Sequence, residues 1–388
     1  MNFNFSKAQQ DLYELVGYMA REHFAPRAAD SDQARALPIE NLRDLHAHGL
    51  LGLTISAEHG GMGSGVMGKD PALYLLAIEQ VARVDLSTAH CLHIHLHACH
   101  LIDQVGTPDQ RRTLLTPVLE RGALIGAVGS EPGRTARGIH VFNTTAQPLR
   151  DGYVLNGRKN YATLAPIADY MIVFATLRGA SPDEGHVGIA IPRGTEGYTI
   201  IPDTWDPIGM RAAVSPDIVL EQCFVPGGMG IGEPGVYPRE RWQARHYLSL
   251  SAQYLGACEG LFDSLTEYLT RRGTAGDTYT QLRLGEMRVL IDSVRWLVYR
   301  AAWLWTQGDL QQAELFSLVA RHQATLCATA VMDKGAQIAG SHALTGHALF
   351  SRMMRDLRIH TLHSNVDKSA ATIGKYHLGQ SFDTGDRL

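Results

Sequence analysis

The feature that most constrains this chain is a change of period along it. Up to about residue 121 the apolar residues recur at helical spacing. From 122 to 238 they fall in short runs rich in Val, Ile, Tyr and Phe, and from 239 onward the helical period returns. In the first stretch Leu12, Leu15, Val16 and Met19 predict a helix over 5–23, and the pattern repeats over 42–51 until Gly60-Gly61 breaks it. Two further helices are expected within 72–100, meeting near Val84-Asp85. Another is expected over 108–119, with Thr107 as N-cap ahead of Pro108. Strands are expected over 153–155, 170–176, 187–191, 198–201 and 218–224, separated by turn signals such as Arg150-Asp151-Gly152 and Asn156-Gly157. Long helical segments over 240–271, 281–307, 310–340 and 347–357 predict a bundle. The expected organisation is an N-terminal α-helical domain (1–121), a middle β-barrel or sandwich domain (122–238) and a C-terminal four-helix bundle (239–388).

Composition closes off several function classes. A formal net charge of −4 with no basic stripe argues against a nucleic-acid partner. No apolar run approaches the roughly 18–20 residues a membrane helix needs, and the N-terminus lacks a basic start followed by an apolar stretch. Five scattered cysteines (Cys91, Cys99, Cys223, Cys258, Cys327) suit reduced thiols in a cytoplasmic protein better than a disulfide framework. The 18 histidines are unusually many, and several cluster.

Four short motifs follow one another on elements of the expected type: Ser130-Glu131-Pro132-Gly133; the stretch from Tyr153 to Thr163 containing Tyr161; Gly209-Met210-Arg211 followed by Ser215 and Asp217; and Gln337-Ile338-Ala339-Gly340 running without a gap to Met354-Arg355-Asp356. In this order they resemble the acyl-CoA dehydrogenase superfamily along nearly the whole chain. The resemblance implies a bound flavin, FAD with FMN as the alternative, and a homotetramer or homodimer with flavin at a subunit interface. It places Ser130, Tyr161 and Thr163 at the flavin ring. Gln337 and Gly340 fall near the adenosine diphosphate of a neighbour's FAD, and Arg271 or Arg272 is expected to act there too. The stretch 273–280 is shorter than in the family and lacks its aromatic residue, and a solvated helix end is the alternative for either arginine.

The resemblance fails at one informative position. Dehydrogenation of an acyl thioester requires a base for the α-proton, and a buried glutamate tuned toward neutral pKa suits the task. Most of the family carries that glutamate nine residues after the arginine of the Arg355-Asp356 pair, and here the position is Ser364. A minority carries it ten residues before a glycine equivalent to Gly256, and here that position is His246. Asp367 and Glu240 are near in sequence but fall on different turns. The run from Arg355 to His363, with His360 and His363, is similar to a stretch of flavin monooxygenases built on the same fold. Those enzymes use reduced flavin and O2, and oxygen held on the flavin must receive a proton as the O–O bond breaks. Imidazole can supply a hydrogen bond or a proton at physiological pH. In that reading His363 and His360 face the flavin and Ser364 is a spectator or a hydrogen-bond donor. The plain alternative is a pair of histidines satisfying a helix end.

His90, His93, His97 and His100 share one face of a helix while His95 points elsewhere. By resemblance this helix borders the substrate pocket, with His93 near its floor and His97 beside it. A polar stripe there suggests a small polar or aromatic substrate, not a long alkyl chain. A surface or interface stripe is the bland reading, and a metal site is disfavoured because no acidic partner is close. Arg134 and Arg137 occupy a loop where they would meet CoA phosphates or only solvent. The glycine runs at 60–63 and 227–230 are expected to be turns, since neither follows a strand and opens a helix.

Three functions remain open at this stage. The first is a monooxygenase acting on a small-molecule or CoA-thioester substrate with O2, with a flavin reductase as an expected partner. The second is an acyl-CoA or acyl-carrier-protein dehydrogenase using a non-standard base, His246 or His363. The third is a catalytically inactive scaffold, against which the retained Ser130, Thr163 and Gln337 argue.

Overall fold

The computed structural model describes residues 4–133, 142–345, 349–363 and 365–384; Arg134, Arg137 and Ser364 therefore lie outside the described residues. The N-terminal domain holds α1 (Lys7–Met19), α2 (Ala25–Ala34), α3 (Ile39–Ala47), α4 (Pro71–Ala82), α5 (Leu86–Val105) and α6 (Pro108–Arg121). Ser6 and Thr107 open α1 and α6 through capping boxes completed by Gln9 and Gln110. The first helix runs further than its periodicity suggests. A widened π turn over Ala20–Phe24 links α1 to α2, and Pro26, which has no N–H to donate, sits in the first turn beyond it. Asp85 caps α5 by accepting from the N–H groups of Ser87 (3.1 Å) and Thr88 (3.2 Å), which ends α4 and starts α5 at the expected joint.

The middle domain is one hydrogen-bonded sheet of β1 (Ile125–Val128), β2 (Thr145–Pro148), β3 (Gly152–Lys159), β4 (Tyr170–Leu177), β5 (His186–Pro192), β6 (Tyr198–Ile201), β7 (Asp217–Pro226) and β8 (Gly230–Ile231). The order is β6-β7-β3-β2-β4-β5-β8, and β1 pairs with β4 off this path. One edge of β4 is thus shared, with β1 alongside residues 170–173 and β2 alongside 176–177, so the sheet splits there. The strands β1 and β2, with the compositions IGAV and TAQP, carry few β-branched or aromatic residues and do not register as strands in the sequence.

The chain then forms α7 (Val236–Arg239), α8 (Trp242–Arg245), α9 (Tyr247–Arg272), α10 (Thr278–Trp305), α11 (Leu310–Ala339), α12 (Leu349–Thr361) and α13 (Val366–His377). The helix expected from 240 is interrupted. Arg241 takes a left-handed φ of 51°, and His246 stands at the junction of α8 and α9. That break puts His246 at the start of α9.

Buried charge fastens the layers together. Arg295 on α10 binds Glu79 on α4 at 2.6 Å, and Tyr299 donates to the same carboxylate at 2.7 Å. Two of the motifs meet directly: Asp356 accepts the Met210 N–H at 2.5 Å, and a Cβ on Gly209 would collide with the backbone of Arg355. Burial pushes the Asp356 carboxyl up to about 7, with the Arg352 charge opposing. The folded state therefore holds this proton more tightly than the unfolded chain. The stability it contributes is full below the ordinary value of 3.8 and is lost as pH rises toward 7. Asp356→Asn, which fixes the neutral form and keeps the acceptor, is expected to flatten the dependence of Tm on pH across that window. An unchanged slope in thermal melts would assign it to other groups.

Candidate active site

A cavity of about 500 Å³ lies where the C-terminal ends of β1 and β3 meet α5, α8, α9 and α12. Its polar edge is made by Ser130, Asn160, Tyr161 and Thr163, with Val128 and Gly129 beside them. Thr163 Oγ1 lies 2.8 Å from Ser215 Oγ and 3.3 Å from His90 Nε2. Tyr161 has a φ of 59° and meets Trp205 edge-on at 6.0 Å. The edge is fastened from behind by Lys159, fully buried, whose Nζ lies 2.9 Å from Glu131. Glu131 also accepts the N–H groups of Asn143 (2.8 Å) and Thr144 (2.9 Å).

The facing wall is imidazole. His90, His93 and His97 from α5, His246 from the α8–α9 junction and His363 beyond α12 all line the cavity. Ring centroids lie 6.0 Å apart for His90–His93, 5.1 Å for His97–His246 and 5.7 Å for His90–His363. Burial pushes His90 down to about 3, with His363 adding to the effect, and burial likewise pushes His97 to about 3. Burial and its imidazole neighbours hold His93 well below the ordinary range. These three rings are neutral at physiological pH. A third surface is aromatic: Tyr237 stacks on His186 at 5.2 Å and packs against Phe174 at 4.7 Å, with Phe142 beside them.

The sequence-predicted residues separate into three groups. Ser130, Tyr161, Thr163, His93, His97, His246 and His363 come together around the cavity. His360, expected to face the same space, does not line it: it is fully buried behind His363, its Nε2 2.8 Å from Gln253 Oε1. Burial and the neighbouring imidazoles hold His360 well below the ordinary range. His100 also turns away from the main cavity toward a small void it shares with Arg245, and His95 is tied to the backbone of Leu51 and Ile125. Arg271, Gln337 and Gly340 sit at the ends of α9 and α11 and do not line the cavity. Arg271 is exposed beside Glu267, and Gln337 contacts Asp333 and Arg283. Arg134 and Ser364 lie outside the described residues. Sequence reasoning missed Asn160, Tyr237, Gln243, Tyr247 and Arg321. Asn160 adjoins a quoted motif, whereas Arg321 sits in a long helical run with no local signal. Among the described residues, no group of three His, Cys, Asp or Glu side chains is arranged to hold a metal ion.

This geometry can be set beside known proteins. The chain matches the acyl-CoA dehydrogenase N-terminal domain over residues 6–121, the middle domain over 127–223 and the C-terminal domain over 245–364. The chain belongs to the acyl-CoA dehydrogenase superfamily. Relatives in the superfamily differ in chemistry. A short-chain-specific acyl-CoA dehydrogenase of Clostridium acetobutylicum is 29% identical, with 95% of this chain and 97% of that protein aligned. Dibenzothiophene monooxygenase of Mycolicibacterium goodii is also 29% identical, over 96% of this chain and 94% of that protein. Butyryl-CoA dehydrogenase of Megasphaera elsdenii superposes with a TM-score of 0.89 at 25% identity, covering 97% of this chain and 100% of that one. The dibenzothiophene monooxygenase TdsC of Paenibacillus, solved with FMN, gives a TM-score of 0.85 at 23% identity, covering 98% and 99%.

Proposed function

We propose that this protein is a flavin-dependent monooxygenase that activates O2 for a small polar or aromatic substrate, or for a CoA thioester. The observation that carries this reading is the makeup of the cavity: among the described residues, no aspartate or glutamate lines it. Proton abstraction from an acyl thioester is the work of a tuned carboxylate, and imidazole occupies that side instead. His90, His93 and His97, kept neutral by burial, supply hydrogen bonds without a fixed charge, and the aromatic surface opposite favours a flat ring over an extended alkyl chain.

The donor set fits a flavin. Ser130, Asn160 and Thr163 offer an edge of short polar groups, and Asn160 Oδ1 is buried there with no hydrogen-bond partner among the described residues. FAD is the favoured form, with FMN the alternative. When bound, the flavin supplies the two-electron chemistry and the site at which O2 reacts. Thr163, oriented by Ser215 and His90, would help hold the flavin through its hydroxyl, and His363 would hold or move a proton in the same cavity. Gln337, Gly340 and Arg271, away from this cavity, suit contacts with a neighbouring protomer's FAD in a homotetramer or homodimer. A separate flavin reductase supplies the electrons. Five buried free cysteines and the absence, among the described residues, of a helix long and apolar enough to cross a membrane support a cytoplasmic setting.

A second reading is an acyl-CoA dehydrogenase with a non-standard base. His246 favours it: it stands at the start of α9 and lines the cavity beside Tyr247, with Gln243 Nε2 3.1 Å from its Nε2. Anaerobic mixing of the flavin-loaded protein with butyryl-CoA and hexanoyl-CoA separates the two. The monooxygenase reading expects the flavin absorbance to persist. Bleaching within the time of catalytic turnover would remove that reading and leave His246 or His363 as the base.

A further inference from the structure

The match to the C-terminal domain ends at residue 364, and the stretch beyond it is tied back into the molecule at a telling place. After α13, Gly379 takes a left-handed φ of 67° and reverses the chain, and the Gln380 N–H closes the turn on the Lys375 carbonyl at 2.9 Å. Phe382 meets Tyr376 edge-on at 5.5 Å, and the Tyr376 hydroxyl accepts from Gln312 on α11 at 2.6 Å. Thr384, buried, then donates its hydroxyl to Glu314 Oε2 at 2.6 Å. Glu314 is itself buried on α11, and the same oxygen accepts from Arg241 Nε at 2.7 Å. Arg241 is the residue whose left-handed φ of 51° breaks the helical segment ahead of α8, a conformation that a side chain with a Cβ holds only at a cost.

The direction of that turn decides which way α8 faces. Trp242 goes into the core, its ring 6.3 Å from His97 and 5.6 Å from His100, while Gln243 and His246 line the cavity. Thr384, Glu314 and Arg241 do not line it. We propose that Thr384 and Glu314 are positioning residues: by gripping Arg241 they hold its left-handed turn and so keep Gln243 and His246 in the cavity wall. The Arg241 side chain is 41% exposed, so its ion pair alone is screened by water and contributes little. The Thr384 hydroxyl fixes the carboxylate that Arg241 binds, and a hydrogen bond to a charged acceptor is of the stronger class. Without that hydroxyl a buried carboxylate oxygen loses a donor, and the carboxylate turns toward water and away from Arg241. The inference rests on this cavity being the active site. It holds whether His246 serves as a base or as part of the wall of an oxygenating site.

The test is hydrogen exchange in the flavin-loaded protein, read peptide by peptide by mass spectrometry. Thr384→Val keeps the shape of the side chain and removes the donor. In it the amides of 242–250 are expected to exchange about ten-fold faster than in wild type, the factor set by one hydrogen bond to a charged acceptor. Thr384→Ser keeps a hydroxyl and should exchange as wild type does. Peptides of the polar cavity edge, 125–133 and 157–163, should not change in either variant. Carbethoxylation of His246 by diethyl pyrocarbonate should quicken in Thr384→Val and not in Thr384→Ser, a signature that lower overall stability without movement of the wall would not give. Glu314→Ala should exchange at least as fast as Thr384→Val over 242–250. Adding Arg241→Gly, which takes a left-handed φ without strain, should recover part of that loss. If Glu314→Ala fails to fold, the two Thr384 variants decide. Unchanged exchange over 242–250 in Thr384→Val overturns the proposal, as does equally fast exchange in Thr384→Ser or a rise spread evenly over α10 and α11. Flavin bleaching by acyl-CoA reports separately on the monooxygenase reading and does not bear on these rates.

Discussion

Replacing Lys159 by methionine is expected to lower the unfolding free energy by about 3–5 kcal/mol, the usual cost of leaving one partner of a buried ion pair charged and alone. Lys159 is fully buried, with its Nζ 2.9 Å from Glu131, 3.3 Å from the Gly129 carbonyl and 3.8 Å from the centre of the Phe142 ring. Without it the Glu131 carboxylate keeps the Asn143 and Thr144 N–H groups but loses its counter-charge. Burial pushes the Glu131 carboxyl up, yet the Lys159 charge and the hydrogen bonds from Asn143, Lys159 and Thr144 together bring it below the ordinary 4.5. Its contribution is therefore present above that value and lost as pH falls through the lower folded one. Urea denaturation at neutral pH measures the loss. The double variant Lys159→Met with Glu131→Gln should recover part of it, because no buried charge remains although the amide offers one oxygen to the two N–H groups. Glu131 adjoins Ser130, and Lys159 adjoins Asn160 at the end of β3, so the single variant should also release flavin more readily. A Lys159→Met protein as stable as wild type would mean that the carboxylate takes up a proton at little cost.

The same pair illustrates how far the sequence could be read. Ser130-Glu131-Pro132-Gly133 was legible as a motif, but nothing local linked Glu131 to a lysine on a strand 28 positions away. Strands with strong β-branched patterns, such as 170–176 and 218–224, were expected close to where β4 and β7 lie. The strands β1 (IGAV) and β2 (TAQP) went unseen because, unlike the equally short β6 (YTII), they carry few β-branched or aromatic residues. The α5 histidine face was read correctly as a face, since four positions at helical spacing fix one side of a cylinder. Which of its members reach the cavity depends on what α8 and α12 place against them. His100 meets Arg245 and Thr54 instead, and His360 is drawn back by Gln253 on α9. His246 looked like a mid-helix residue until the left-handed turn at Arg241 broke the segment and placed it at a helix start. Arg321 had no signature at all, because a cation in an amphipathic helix reads as a solvated face.

His363→Ala is expected to uncouple the enzyme, with product formation falling by roughly 100-fold or more while reduced flavin still consumes O2 and releases it as hydrogen peroxide. The variant should keep its local fold, because Arg321 binds the backbone oxygen of residue 363 and Tyr254 binds that of His360 at 2.9 Å. Only the imidazole is lost, and with it the one ring of the His360–His363 pair that lines the cavity. The measurement is peroxide formed per O2 consumed at saturating substrate, set against oxygenated product. Unchanged coupling would remove His363 from the mechanism. The competing dehydrogenase reading predicts a different signature, since there the imidazole would act as base and its loss would slow anaerobic flavin reduction by acyl-CoA without affecting peroxide. His360→Ala separates position from chemistry. That ring does not reach the cavity, and its Nε2 is held by Gln253, so its removal acts by loosening His363. Coupling should fall less than in His363→Ala and be recovered in part by a planar replacement such as His360→Asn. A loss equal to that of His363→Ala would mean that the buried ring, and not the exposed one, governs the proton.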